Sequence, residues 1–163
     1  MEDREIRLAL DLHWAASDAN DFEVEHQIYR EDAVLEYPQS GERIRGRRNI
    51  QASRFAQPSK KRFAVQRILG AADLWVTEFV LTYDGQPSYS VSIMELKDGK
   101  VIRETQYFGD AFEPGPSRAQ WSSGRAESRN EGVQAWRRPK LFAMRRFRSP
   151  MDLAQFPPLG LGL

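Results

Sequence analysis

The sequence predicts an α+β domain: one curved antiparallel sheet with helices packed on one face. Three observations carry that expectation. Apolar residues near the N-terminus recur at helical spacing. Residues 62–108 form long runs rich in β-branched and aromatic side chains. Asp84-Gly85 and Asp98-Gly99 cut those runs where tight hairpin turns belong.

Each element follows in order. Residues 4–17 read as a helix, with Ile6, Ala9, Leu10 and His13 on one face and Trp14 at its edge. A second helix is expected from about Asp21 to Arg30, with Asn20 and Glu23 at capping-pair spacing. "AVLEY" (33–37) is a short strand closed by Pro38 and the turn "PQSG". "RRNIQASRF" after Gly46 fits a third short helix, and Pro58 ends it. Four strands follow: 62–70, 74–83, 88–96 and the stretch "GKVIRETQYFGDAF" that starts at Gly99. This last strand raises a question. Its more core-like set, Ile102, Glu104, Gln106 and Phe108, carries two polar residues in its middle, where a clean core face should be apolar.

The 163 residues suffice for one domain with a real core. There are no cysteines, so disulfides and thiol catalysis are excluded. The two histidines, His13 and His26, form no metal-ligand cluster, and no metal or other cofactor is expected. No apolar run approaches a membrane span, and "MEDREIRLAL" has no signal-peptide core, so a soluble, cytoplasmic protein is expected. Charge is divided unevenly. Residues 1–121 sum to −4 and residues 122–163 to +5. From about 123 onward the chain is rich in Arg, Ser, Gly and Pro with no sustained period. The expected organisation is a domain over 1–122 and a basic, disordered tail over 123–163.

The phrases "AASDANDFE", "IYREDAVLEYPQSGERIRGRRNI" and "LWVTEFVLTYDGQPSYSVSIMELKDGKVIRETQYFGDAFEPGPSRAQW", in that order, resemble the SnoaL-like branch of the nuclear transport factor 2-like superfamily over about 10–121. The resemblance implies a cone: a strongly bent antiparallel sheet wrapping three helices around an internal pocket. It also implies a choice among chemistries, because members include isomerases, cyclases, epoxide hydrolases, dehydratases and proteins with no known reaction. By strand parity against the isomerase pattern, Glu104, Gln106 and Phe108 point inward, with Met94, Ser92 and Ser90 beside them and Thr77, Phe79 and Leu81 beyond. The polar residues in mid-strand then face a ligand pocket rather than only a core.

The family carboxylates are missing, residue by residue. The isomerase base position before Pro38 is Tyr37, and its oxyanion positions read as His13 and Met94. The cyclase acid–base position aligns with Gln106. The Arg-x-Asp of the epoxide hydrolases is replaced by "SIM". What remains as a catalytic set is Glu104 as base, with Tyr37 or His13 as donor to an oxyanion. Gln106, Phe108, Met94, Ser92, Phe79 and Trp14 are the expected ligand-binding residues. Desolvation is expected to raise the Glu104 pKa modestly. Eight basic residues from Arg43 to Arg62 read as a solvated face that balances the acidic body, not as a nucleic-acid site. The expected function is a small-molecule-binding protein with an internal pocket, either a cofactor-free isomerase, cyclase/lyase or hydrolase, or a non-catalytic binding or dimerisation module. A homodimer through the outer sheet face is the expected assembly.

Overall fold

The computed structural model describes residues 2–57 and 59–122. The expected tail, 123–163, lies outside the described residues. Residues 1–113 form one compact unit, and a second begins at Pro114. The described part of the second unit is a short 3-10 helix, Pro116–Trp121. The first unit carries all the rest.

Helix α1 (Asp3–Ala19) buries Ile6, Leu10, His13 and Trp14, the face its apolar spacing marks out, and adds Ala16 and Ser17. It stops at Asn20, which takes the left-handed conformation (φ 57°) as its C-cap. Asn20 therefore does not begin the next helix. Asp21 does, its side chain accepting from the Val24 N–H at 3.1 Å. Helix α2 (Phe22–Glu25) is one turn long and tightens into a 3-10 turn, His26–Ile28. The expected helix to Arg30 is thus cut short, because strand β1 (Tyr29–Tyr37) begins at Tyr29 and needs that residue in the sheet. A short strand β2 (Glu42–Arg45), absent from the sequence reading, pairs antiparallel with β1. Helix α3 (Arg47–Phe55) follows and buries Ile50.

Strands β3 (Lys61–Ala71), β4 (Leu74–Tyr83), β5 (Gln86–Lys97) and β6 (Lys100–Asp110) form the expected meander. The turns between β4 and β5 and between β5 and β6 have Asp84, Gly85, Asp98 and Gly99 all at positive φ. That is the hairpin geometry which Asp-Gly favours. The six-stranded order is β2-β1-β6-β5-β4-β3. One pairing departs from an antiparallel sheet: β1 runs parallel to β6, Leu35 opposite Glu104, so the sheet is mixed.

Parity is broken on the strand that raised the question, as it also is between β3 and β4 and between β1 and β6. The register of β5 with β6 shifts between Glu95 and Leu96, so that Ile102 is an extra residue. The bulge turns Val101 inward to full burial and leaves Ile102, expected inside, only partly buried. Beyond it the alternation holds. Glu104 and Gln106 are buried, with Met94, Ser92, Ser90, Thr77, Phe79 and Leu81 beside them on the neighbouring strands. The apolar core joins these positions to Ile6, Leu10, Trp14, Ile28, Leu35 and Ile50 from the helices and β1.

Candidate functional site

The buried face of the meander ends in a small pocket of about 50 Å3 that opens to solvent at its mouth. Trp14, Phe63 and Phe79 form one wall, with ring centroids 4.7 Å (Trp14–Phe79), 5.6 Å (Phe63–Phe79) and 5.8 Å (Trp14–Phe63) apart. Tyr37 and Phe108, 5.8 Å apart, form another. Phe108 is fixed by Gln39, which donates to its carbonyl and accepts its N–H. Trp14 is fixed by its indole N–H, which donates to Thr77 Oγ1 at 3.1 Å. Glu25, Arg54, Lys61 and Gln106 supply the polar lining.

Beneath the pocket lies a charged network that explains the polar residues of β6. Glu104 has 0% exposure, and each of its carboxylate oxygens accepts two hydrogen bonds. Oε1 accepts from Ser92 Oγ at 2.6 Å and Gln106 Nε2 at 2.7 Å. Oε2 accepts from Arg54 Nη2 at 2.8 Å and from the Tyr29 hydroxyl. Arg54, with a side chain 11% exposed, also donates from Nη1 to Glu25 Oε1 at 3.0 Å. Its guanidinium lies over the Tyr29 ring, 5.5 Å from the centroid. Two carboxylates from α2 and β6 thus clamp one arginine from α3.

This geometry reverses the expected Glu104 titration. Burial alone would push its carboxyl up. The Arg54 charge, with the Ser92 and Tyr29 hydroxyls, outweighs burial and holds the group below the usual carboxylate value. Glu25 behaves alike: burial raises it, Arg54 lowers it further, and the net direction is down. Burial works against the charge of Arg54, but its anionic neighbours keep it protonated. Burial pushes the Tyr29 hydroxyl well above its ordinary value, so it stays a donor to Glu104.

The expected site residues divide into two groups. Tyr37, Trp14, Phe79, Gln106 and Phe108 line the pocket. Glu104, Ser92, Met94 and His13 are buried and do not line it. His13 Nδ1 donates to the Glu25 carbonyl at 2.7 Å, and burial depresses its pKa, so it is a neutral imidazole behind the network. Reading Arg43 to Arg62 as a solvated face holds for Arg43, Arg47 and Arg62, which meet Glu36, Glu31 and Asp18 at the surface. It fails for Arg54 and Lys61, which turn inward. The sequence did carry a signal for Arg54. It lies four residues after Ile50, on the one buried face of α3. Tyr29 is not legible as a site residue from a helix through Arg30, because it acts from the first position of β1, and Glu25 meets Arg54 only through the tertiary fold. Among the described residues, no group of His, Asp and Glu could hold a metal ion, and no helix is long and apolar enough to cross a membrane.

The fold has counterparts among known proteins. A protein of unknown function from Burkholderia xenovorans LB400, described as NTF-2 like, is 53% identical, with a TM-score of 0.72 over 76% of this chain and 98% of that one. A putative ketosteroid isomerase from Kribbella flavida is 26% identical, with a TM-score of 0.71 over 78% and 95%. An epoxide hydrolase from M. tuberculosis is 22% identical, with a TM-score of 0.55 over 65% and 84%, and shares the fold. A comparison with curated proteins finds no match. The SnoaL-like domain matches residues 10–104, and with that match and the cone fold the chain belongs to the SnoaL-like family of the nuclear transport factor 2-like superfamily.

Proposed function

We propose that the chain binds a small, partly aromatic organic molecule in this pocket, without a cofactor, and reads its polar end with Arg54 and Gln106. One observation carries the reading. Arg54 is charged, held rigid by Glu25 and Glu104, and lines an aromatic-walled pocket. Only two of its five N–H donors go to those carboxylates. A preorganised cationic donor in a largely apolar cleft suits a ligand carbonyl, hydroxyl or developing oxyanion.

The wider reading, a cofactor-free isomerase, cyclase/lyase or hydrolase, then needs a proton acceptor. Glu104 has no free oxygen for that work, so its part is to hold Arg54. Glu25 has one buried oxygen, Oε2, without a hydrogen bond and 3.9 Å from His26 Nδ1, and is the carboxylate left for acid–base work. Tyr37 and Tyr83 bring hydroxyls to the pocket wall. The saturation of Glu104 favours a second reading, a non-catalytic binding module. Either form is read as a homodimer through the outer sheet face. Native mass spectrometry of freshly purified protein tests the pocket. A retained small molecule, lost when Gln57→Trp places a ring at the exposed lining position, supports the reading. A retained molecule indifferent to that substitution overturns it.

A further inference from the structure

Lys61 is the one charged group of the pocket that the network does not use. It opens β3, is 7% exposed, and lines the pocket beside Glu25 and Arg54. Among the described residues its ammonium has no hydrogen bond and no ion pair. Its neighbours are two rings: Nζ lies 4.7 Å from the Phe22 centroid and 5.6 Å from that of Phe63. A lysine kept only for its charge is ordinarily solvated or met by a carboxylate. Here Arg54 takes Glu104 and one oxygen of Glu25, and Glu25 acts on Lys61 only through space, with no ion pair formed.

We propose that Lys61 is a reactive amine and that the pocket takes small aromatic carbonyl compounds, held on Lys61 as an iminium. This rests on the pocket reading above and names the ligand class. The step balances. The Lys61 ammonium gives one proton to water. The free amine attacks the carbonyl carbon, a C–N bond forms, and the C=O electron pair moves to oxygen. A proton passes from nitrogen to that oxygen. The carbinolamine hydroxyl takes back one proton and leaves as water as the C–O bond breaks. The product, a protonated imine, carries the same positive charge as the ammonium it replaces. Glu25, Glu104, Arg54 and Lys61 therefore remain neutral as a set before and after. The aromatic wall of Trp14, Phe63 and Phe79 supplies stacking surface for the aryl group. Burial, with Arg54 adding to it and Glu25 opposing, lowers the Lys61 pKa and raises its free-amine fraction.

The test uses the full chain, benzaldehyde below one equivalent and sodium cyanoborohydride, with peptide mapping of the benzylated lysines. Lys61 is expected to label on the order of tenfold faster than Lys60, Lys97 and Lys100, because it is the buried amine that faces the aromatic pocket. Lys61→Arg, which keeps the charge and the stem, is expected to remove the fast site only. Benzyl alcohol, which fits the same walls but cannot form an imine, is followed at the Trp14 indole N–H by NMR. If benzyl alcohol shifts that signal while all lysines label equally, the iminium is overturned and the pocket reading stands. If it shifts nothing and labelling is equal, both are overturned. Fast Lys61 labelling in wild type supports the proposal even if Lys61→Arg does not fold.

Discussion

Arg54 keeps its charge at 11% side-chain exposure because Glu25 and Glu104 meet it from two sides. Removing one partner of a buried ion pair leaves the others uncompensated, a larger cost than the pair's own net worth. Arg54→Met is therefore expected to lose about 3–5 kcal/mol of unfolding free energy in denaturant. Glu104→Gln is milder, since an amide can still accept from Arg54 and Tyr29. A second residue sets an acid limit. Burial pushes His26 down to about 4, against 6.5 for an ordinary imidazole. Between those values the unfolded chain binds the proton and the folded chain does not, so stability falls as pH drops through that window. Glu104 and Glu25, held low, add to the loss below the ordinary carboxylate value of 4.5, where only the unfolded chain protonates. Urea midpoints measured from pH 7 to pH 4 are expected to decline steadily, and His26→Gln to reduce the slope above pH 4.5, with the buried His13 supplying the remainder. A midpoint independent of pH over that range would contradict the assignment of a buried, neutral His26.

Each element owes its place to a few backbone positions. Gly70, near the end of β3, is closest to its neighbours. A Cβ there would stand 2.5 Å from the Leu74 carbonyl oxygen and 2.7 Å from Trp75 Cα. Both obstacles are backbone, so Gly70→Ala must move the β3–β4 hairpin, at a cost of about 1–3 kcal/mol measured by thermal or chemical unfolding. A wild-type melting curve for Gly70→Ala would show that the hairpin has slack there. The meander was legible because Asp84-Gly85 and Asp98-Gly99 are local signals that no tertiary contact had to override. Strand β2 was not, because "ERIR" shows no buried alternation and exists by pairing with β1. The start of β1 was misread for a related reason. "EVEHQIYR" suits a helix by local preference, and distant contacts, the pairing of Tyr29 with Val101 and its bond to Glu104, give Tyr29 a reason to join the sheet. The candidate site was half legible. Strand parity, set by the family resemblance, put Gln106, Phe108 and Phe79 on the face that lines the pocket, whereas the charge that answers Glu104 comes from a helix fifty residues earlier.

At the scale of the molecule the outer sheet face is the unfinished surface. Tyr89 (56% exposed) and Tyr107 (42% exposed) flank the partly buried Val80, Val91 and Ile93. Arg103 and Glu95 lie on the same face, 3.8 Å apart. A two-fold pairing would cover the apolar residues and let those charges meet their copies' opposites. Light scattering at micromolar concentration is expected to give twice the chain mass, and Ile93→Lys to give the monomer. A monomer in both would leave the face simply wet. The parallel pairing of β1 with β6 has a consequence for how the protein is made. Leu35 finds its partner at Glu104, so an early strand must wait for almost the last one to be synthesised. Until β6 has left the ribosome, β1 has β2 on one side and a bare edge on the other, and Arg54 has lost one of its two anions. Such late, non-local closure slows folding and exposes the nascent chain. Stalled nascent chains are accordingly expected to remain open to protease until residues through Asp110 are free, and to become resistant in a single step thereafter.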